Sequence, residues 1–252
     1  MDESNVDVVA ELTELRKRIF ITVGAFLAFL FVSFLFVNDI YHWLVKDISM
    51  PLAVLGPSDI LWVYVMIATV VAIICVIPVA AYQTWRYVSP ALTERERKVT
   101  AAYIPLLSLL FLVGILFGYF ILFPIVMHFL LSLSEDMFTT FFTTEKYFKF
   151  LLHMTLPFGF LFELPVVVMF LTSLGIVTPI RLRQWRKYAY FFLVVISVMI
   201  TPPDFLSDVL VIIPLIFLYE CSILLSSMVF RKREKKLVVE EEISKTTTSI
   251  TS

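Results

Sequence analysis

Six apolar blocks, at about residues 19–37, 60–85, 101–127, 149–174, 188–200 and 205–230, are separated by connections that hold almost all of the charge. A chain segregated in this way cannot surround one core with a polar surface. Each block reads as a helical span of a bilayer, because helix adds about 1.5 Å per residue and the hydrocarbon layer is about 30 Å thick. The composition agrees: 60% of residues are apolar, 16% are charged and 25 are phenylalanine, far from the usage of water-soluble domains. The reading is an all-α integral membrane protein with six transmembrane helices. It has no basic face for nucleic acid.

An even number of spans puts both termini on one side, and the basic residues say which. The N-terminal segment (Arg16, Lys17, Arg18), the second connection (Arg86, Arg95, Arg97, Lys98), the fourth (Arg181, Arg183, Arg186, Lys187) and the tail (Arg231, Lys232, Arg233, Lys235, Lys236, Lys245) hold 17 of the 20 Lys and Arg. Only Lys46, Lys146 and Lys149 lie opposite. Both termini are therefore expected in the cytoplasm, with the chain multi-pass in the membrane. The first 18 residues are too charged to open a signal peptide, so the first span is expected to stay as an anchor. Residues 1–230 read as one membrane domain. Residues 231–252 are too polar to bury a core and read as a cytoplasmic, disordered tail.

The fifth block is short. Between Lys187 and Asp204 lie 16 uncharged residues, about 24 Å of helix. The block exits through "TPPD", residues 201–204, where two prolines remove two donors and Asp204 and Asp208 call for water. Spans five and six are thus expected to form a short, shallow hairpin beside which the bilayer thins or admits water.

"FGFLFELPVVVM", residues 158–169, places Glu163 midway along the fourth span. A charge there costs about 3 kcal/mol on insertion scales, so a partner must offset it. Pro165 deprives the Leu161 carbonyl of its helical donor, leaving a second polar group beside the acid. Either water and a group from another chain meet this acid, or it is protonated and tied to a neighbouring helix. Glu220, nearer the cytoplasmic end of span six, reads as an interhelical hydrogen bond. On the cytoplasmic side, "ELTELRKR" (11–18) and "SPALTERERK" (89–98) carry Glu14 four residues before Arg18 and Glu94 four before Lys98. Read alone, these are local ion pairs worth about 0.2–0.5 kcal/mol.

Other chemistry finds little support. Cys75 and Cys221 lie inside spans and read as packing thiols. His42, His128 and His153 sit at outer connections without ligand spacing or a paired nucleophile, so neither a metal nor a catalytic site is expected. No phosphate-binding loop and no cofactor motif is present.

Taken in order, "ELRKR" at the first span, "SPAL" ahead of Glu96, "FGFLFELP" in the fourth span and "TPPD" before the sixth resemble the TatC family, the multispanning receptor subunit of the twin-arginine protein translocase. The resemblance covers roughly residues 8–230. It implies a bowl-like six-helix receptor for twin-arginine signal peptides of folded precursors, in a homo-oligomeric assembly with single-span TatA- or TatB-type subunits, driven by a proton gradient. Carried over by position, it marks Glu14, Glu96, Arg16 and Tyr87 for signal-peptide binding, and Glu163, Asp204 and Pro51 for polar or partner contacts. Tyr87 departs from the phenylalanine common in the family.

The chemistry is compatible with that role. Successive side chains of an extended peptide point to opposite sides, so two consecutive arginines need two separate acceptors. Each carboxylate can take a guanidinium in a two-pronged bond that an ammonium cannot form. The alternative is a proton-coupled secondary transporter with Glu163 as its titrating carboxylate. Against it stand the absence of an inverted repeat and of other deep ionisable groups.

Overall fold

The computed structural model describes residues 3–46, 52–132, 142–201 and 205–251, so Pro51 and Asp204 lie outside the described residues. Those residues are mostly helical, joined by short turns and loops, with one isolated bridge beside Thr143 in which the Ala53 amide donates to the Phe142 carbonyl and the Thr144 amide to the Ala53 carbonyl. Among them, five helical stretches are long and apolar enough to cross a membrane: Glu11–Leu35, Pro57–Val88, Tyr103–Ser132, Thr144–Ser173 and Phe205–Lys232. The remaining apolar block is a helix of 15 residues, Arg186–Ile200, about 22 Å long. The expected shortness belongs to this helix and not to the one after it.

Contacts divide the chain into two compact units, Met1–Phe162 and Glu163–Ser252. In the first, α1 (Glu3–Leu35), α2 (Val37–Val45), α3 (Pro57–Val88), α4 (Glu94–Ala101), α5 (Tyr103–Phe117), α6 (Phe123–Ser132) and α7 (Thr144–Leu161) follow in order, with a wide π-turn at Gly118–Leu122. Local chemistry starts these helices. Pro57 opens α3 while the Asp59 carboxylate accepts from the amides of Leu55 and Gly56 at 3.0 and 3.2 Å. Thr143 caps α7 by accepting from the Lys146 amide at 3.3 Å.

The core of this unit is the crossing of α5 with α7, backed by α3. Phe111, Phe148, Met154 and Phe158 are buried there with Val63 and Val126. Hydrocarbon is as apolar as leucine, so what holds helices together in a bilayer is close packing, and small residues permit it. A Cβ built on Gly114 would lie 2.5 Å from the Phe158 carbonyl oxygen and 2.9 Å from the Gly159 Cα; on Gly118 it would lie 2.8 Å from the Thr155 Cα. Backbone, not flexible side chain, is the neighbour. Gly114→Ala is therefore expected to lower thermal stability in detergent, by about 1–3 kcal/mol from overpacking. Gly24→Ala, where a Cβ meets nothing within 4 Å, is expected to be neutral or slightly stabilising. Equal behaviour of the two variants in a melting assay refutes this account of the crossing.

In the second unit, α8 (Leu164–Ser173), α9 (Pro179–Gln184), α10 (Arg186–Ile200) and α11 (Phe205–Thr251) pack around Val166, Val211, Leu215 and Ile223. α8 ends at Gly175, whose φ of 78° suits glycine, with the Gly175 and Ile176 amides donating to the Thr172 and Leu171 carbonyls. A buried Thr172–Ser226 hydroxyl pair at 2.7 Å joins α8 to α11. α11 continues as helix from the last span as far as Thr251. The first half of residues 231–252 is rich in Lys, Arg and Glu, and neither glycine nor proline interrupts this segment, so the helix of span six can propagate.

Large apolar side chains face outward throughout, among them Phe31, Phe192, Ile213 and Phe217. An outer surface of that kind is stable against lipid and not against water. The first span is extreme, with only 6% of its most apolar window buried.

Candidate functional site

The first candidate site is built on α1 and α3. Glu14 and Arg18 stand one turn apart on α1, and their side chains close an ion pair at 2.7 Å, as their spacing predicts. The Arg18 side chain is only 13% exposed, while that of Glu14 is 41% exposed. The reason is α3. Gln83, a polar residue on a mostly apolar helix and itself 8% exposed, accepts from Arg18 Nη1 at 3.3 Å through Oε1. The guanidinium is thus shared between a carboxylate on its own helix and an amide on the next. Its Nε is buried without a hydrogen-bond partner among the described residues.

Beside this pair a groove of about 260 Å³ opens between the two helices. Ile19, Val23 and Ala80 give it apolar walls, and Thr22, Thr84 and Tyr87 give it hydroxyls. Tyr87 lies one turn beyond Gln83, so the two share a face of α3. Of the residues marked by the resemblance, Glu14 and Tyr87 are therefore brought to one place. Arg16 is not, since it is exposed and its guanidinium lies 5.4 Å from the centre of the Phe20 ring.

Glu96 belongs to α4, and its side chain is outside the described residues. The helix that carries it is fixed to α3. Trp85 Nε1 donates to Thr100 Oγ1 at 3.1 Å, and the Arg97 guanidinium sits 5.8 Å from the centre of the Trp85 ring. The expected Glu94–Lys98 pair falls on Lys98, whose side chain is also outside the described residues.

The second candidate is Glu163. The fourth span is not one helix: α7 stops at Leu161, α8 starts at Leu164 with Pro165 in its first turn, and Glu163 stands in the break at φ −76° and ψ −20°. Its carbonyl accepts from the amides of Val166 and Val167, both at 3.0 Å. Its carboxyl is half-buried and forms no hydrogen bond among the described residues. Glu220, by contrast, is fully engaged. Its carboxylate takes Arg186 Nη2 at 2.5 Å and the Tyr190 hydroxyl at 2.6 Å, the interhelical tie that its position predicts. At the other end of α10, Thr201 donates to the Asp208 carboxylate and to the Ser197 carbonyl, and Ser197 to the Asp208 carbonyl at 3.1 Å.

Sequence reasoning missed Gln83. One glutamine among the apolar residues of a span is a visible signal, but its meaning depends on pairing with a residue 65 positions away.

The sequence model of the family described as Sec-independent protein translocase protein (TatC) matches residues 10–214. The chain is 57% identical to Sec-independent protein translocase protein TatCd of Bacillus subtilis, over 94% of this chain and 98% of that one. It is 43% identical to the TatC protein of Halalkalibacterium halodurans, over 96% and 97%. A crystal structure of the twin-arginine translocase receptor TatC superimposes with a TM-score of 0.77 at 34% identity, covering 87% of this chain and 99% of that one. With a family match across most of its length, close relatives of full length and a shared fold, the chain belongs to the TatC family of Sec-independent protein translocase proteins.

Proposed function

We propose that this protein is the signal-peptide receptor and core subunit of a twin-arginine translocase, binding folded precursors through two consecutive arginines. The observation that carries the reading is the Glu14 carboxylate. It is anchored through one oxygen by Arg18, partly open to solvent, and set beside a groove with apolar walls that suits the apolar stretch of a signal peptide. Glu96 supplies the second acceptor, because two adjacent arginines on an extended strand diverge. Tyr87 lines the groove, and Arg16, exposed on α1 outside it, meets the peptide from solvent. The membrane frame is six spans with both termini cytoplasmic, which puts Glu14 and Glu96 on the side from which precursors arrive. TatA- or TatB-type single-span subunits and further copies of this chain complete the assembly, with the proton gradient as the source of energy. Glu163, Asp204 and Pro51 serve contacts within that assembly.

One experiment addresses receptor and orientation together. A photo-reactive peptide bearing two arginines before an apolar stretch, added to sealed vesicles, is expected to label this chain only when the cytoplasmic face is outward. A twin-lysine version is expected to label it weakly. Equal labelling by both peptides defeats the receptor reading, and labelling from the opposite face alone defeats the orientation.

A further inference from the structure

Arg18 poses a problem for the proposed receptor, on which this inference rests. An acid meant to capture an incoming guanidinium already holds one of the protein's own. If Arg18 took both oxygens of Glu14 in the two-pronged bond that guanidinium and carboxylate favour, the acid would be closed. The structure shows a different arrangement. Arg18 Nη2 meets Glu14 Oε1 at 2.7 Å, whereas Nη1 is turned to Gln83 Oε1 at 3.3 Å, and no bond to Glu14 Oε2 is formed among the described residues. The buried amide keeps the guanidinium divided.

We propose that Gln83 is a positioning residue of the receptor: by holding one arm of Arg18 it keeps half of the Glu14 carboxylate free for an arginine of the signal peptide. Arg18 in turn fixes where that carboxylate stands. The pair sets affinity by competition, without touching the peptide.

This arrangement makes the sign of an effect depend on charge at one buried position. Gln83→Leu has similar size but removes the acceptor. Nη1 and the already unpartnered Nε then have only Glu14 to turn to, since a buried charged donor without a partner is costly. Arg18 closes on Glu14, and binding of a twin-arginine peptide falls by about tenfold, the scale of one charge-assisted bond. Gln83→Glu does the reverse. A second carboxylate draws Arg18 away, Glu14 is released, and binding tightens by a similar factor. In an Arg18→Gln background both effects vanish, because nothing is left to be shared.

The test uses the full chain in lipid nanodiscs, with the twin-arginine peptide as probe and its twin-lysine form as control. A second measurement is independent of any peptide: the rate at which a water-soluble carbodiimide modifies Glu14, resolved by mass spectrometry. The expected result is slower modification and weaker binding in Gln83→Leu, faster modification and tighter binding in Gln83→Glu, and neither change without Arg18. A residue that merely holds the fold would weaken binding in both variants. That outcome, unchanged modification of Glu14, or effects that persist in the Arg18→Gln background overturns the proposal. If modification moves as expected while the wild type binds both peptides alike, the receptor reading has failed and the control of Glu14 by Gln83 stands.

Discussion

Replacing Glu163 with alanine is expected to abolish transport while leaving the protein folded, with near-normal melting and near-normal binding of signal peptide. The expectation comes from where the carboxyl stands. It occupies the break between α7 and α8, half-buried and without a hydrogen bond among the described residues, so truncation removes no internal bond. Loss of an internal tie would cost about 1–3 kcal/mol, because the orphaned partner stays buried; here the cost should stay below about 1 kcal/mol. An unsatisfied polar group is nevertheless expensive in a bilayer, and Pro165 leaves the Leu161 carbonyl without its usual donor at the same place. A polar group on a partner's membrane helix would satisfy both. Glu163→Gln keeps hydrogen bonding and drops the charge, so it should retain part of the transport if the contact is a hydrogen bond. A crosslinker placed at Phe162 should capture a single-span subunit during transport. Unfolding of Glu163→Ala, or no capture at Phe162, would falsify the assignment and make the acid an internal tie.

The second large effect is expected at Glu96. Glu96→Gln preserves size and one carbonyl acceptor but removes the charge, and should weaken twin-arginine peptide binding by about 1.5–3 kcal/mol. In dissociation constants that is about 10- to 150-fold. Glu94→Gln serves as control, since Glu94 is exposed on the same short helix and reads as one half of a local pair. Isothermal titration in nanodiscs decides the matter: similar losses at both positions, or none at Glu96, remove Glu96 from the receptor.

How far the sequence could be read depends on how local each cause is. Apolar length is local, and the block read at 60–85 is the helix Pro57–Val88, extended at its start by the Pro57 and Asp59 cap. The Glu14–Arg18 pair is one helical turn and was readable from spacing. The interruption at Phe162 and Glu163 is foreshadowed by Pro165, which removes a donor. The tail has too little apolar surface for a packed core, yet a helix already nucleated by a membrane span needs no core to continue. Gly114 and Gly118 carry no mark in the sequence to separate them from Gly24. Only the approach of α7 tells them apart.

The helix that bears Glu14 and Arg18 is also the one with least protein around it, since its most apolar window is only 6% buried. Its main protein neighbour is α3, with a smaller contact to α2, so most of its apolar surface is left for the bilayer to cover. A span so little held by protein is one whose tilt, and with it the placement of Glu14, should respond to bilayer thickness. A micelle imposes no such thickness, so an affinity measured in detergent describes a different receptor from the one in the bilayer.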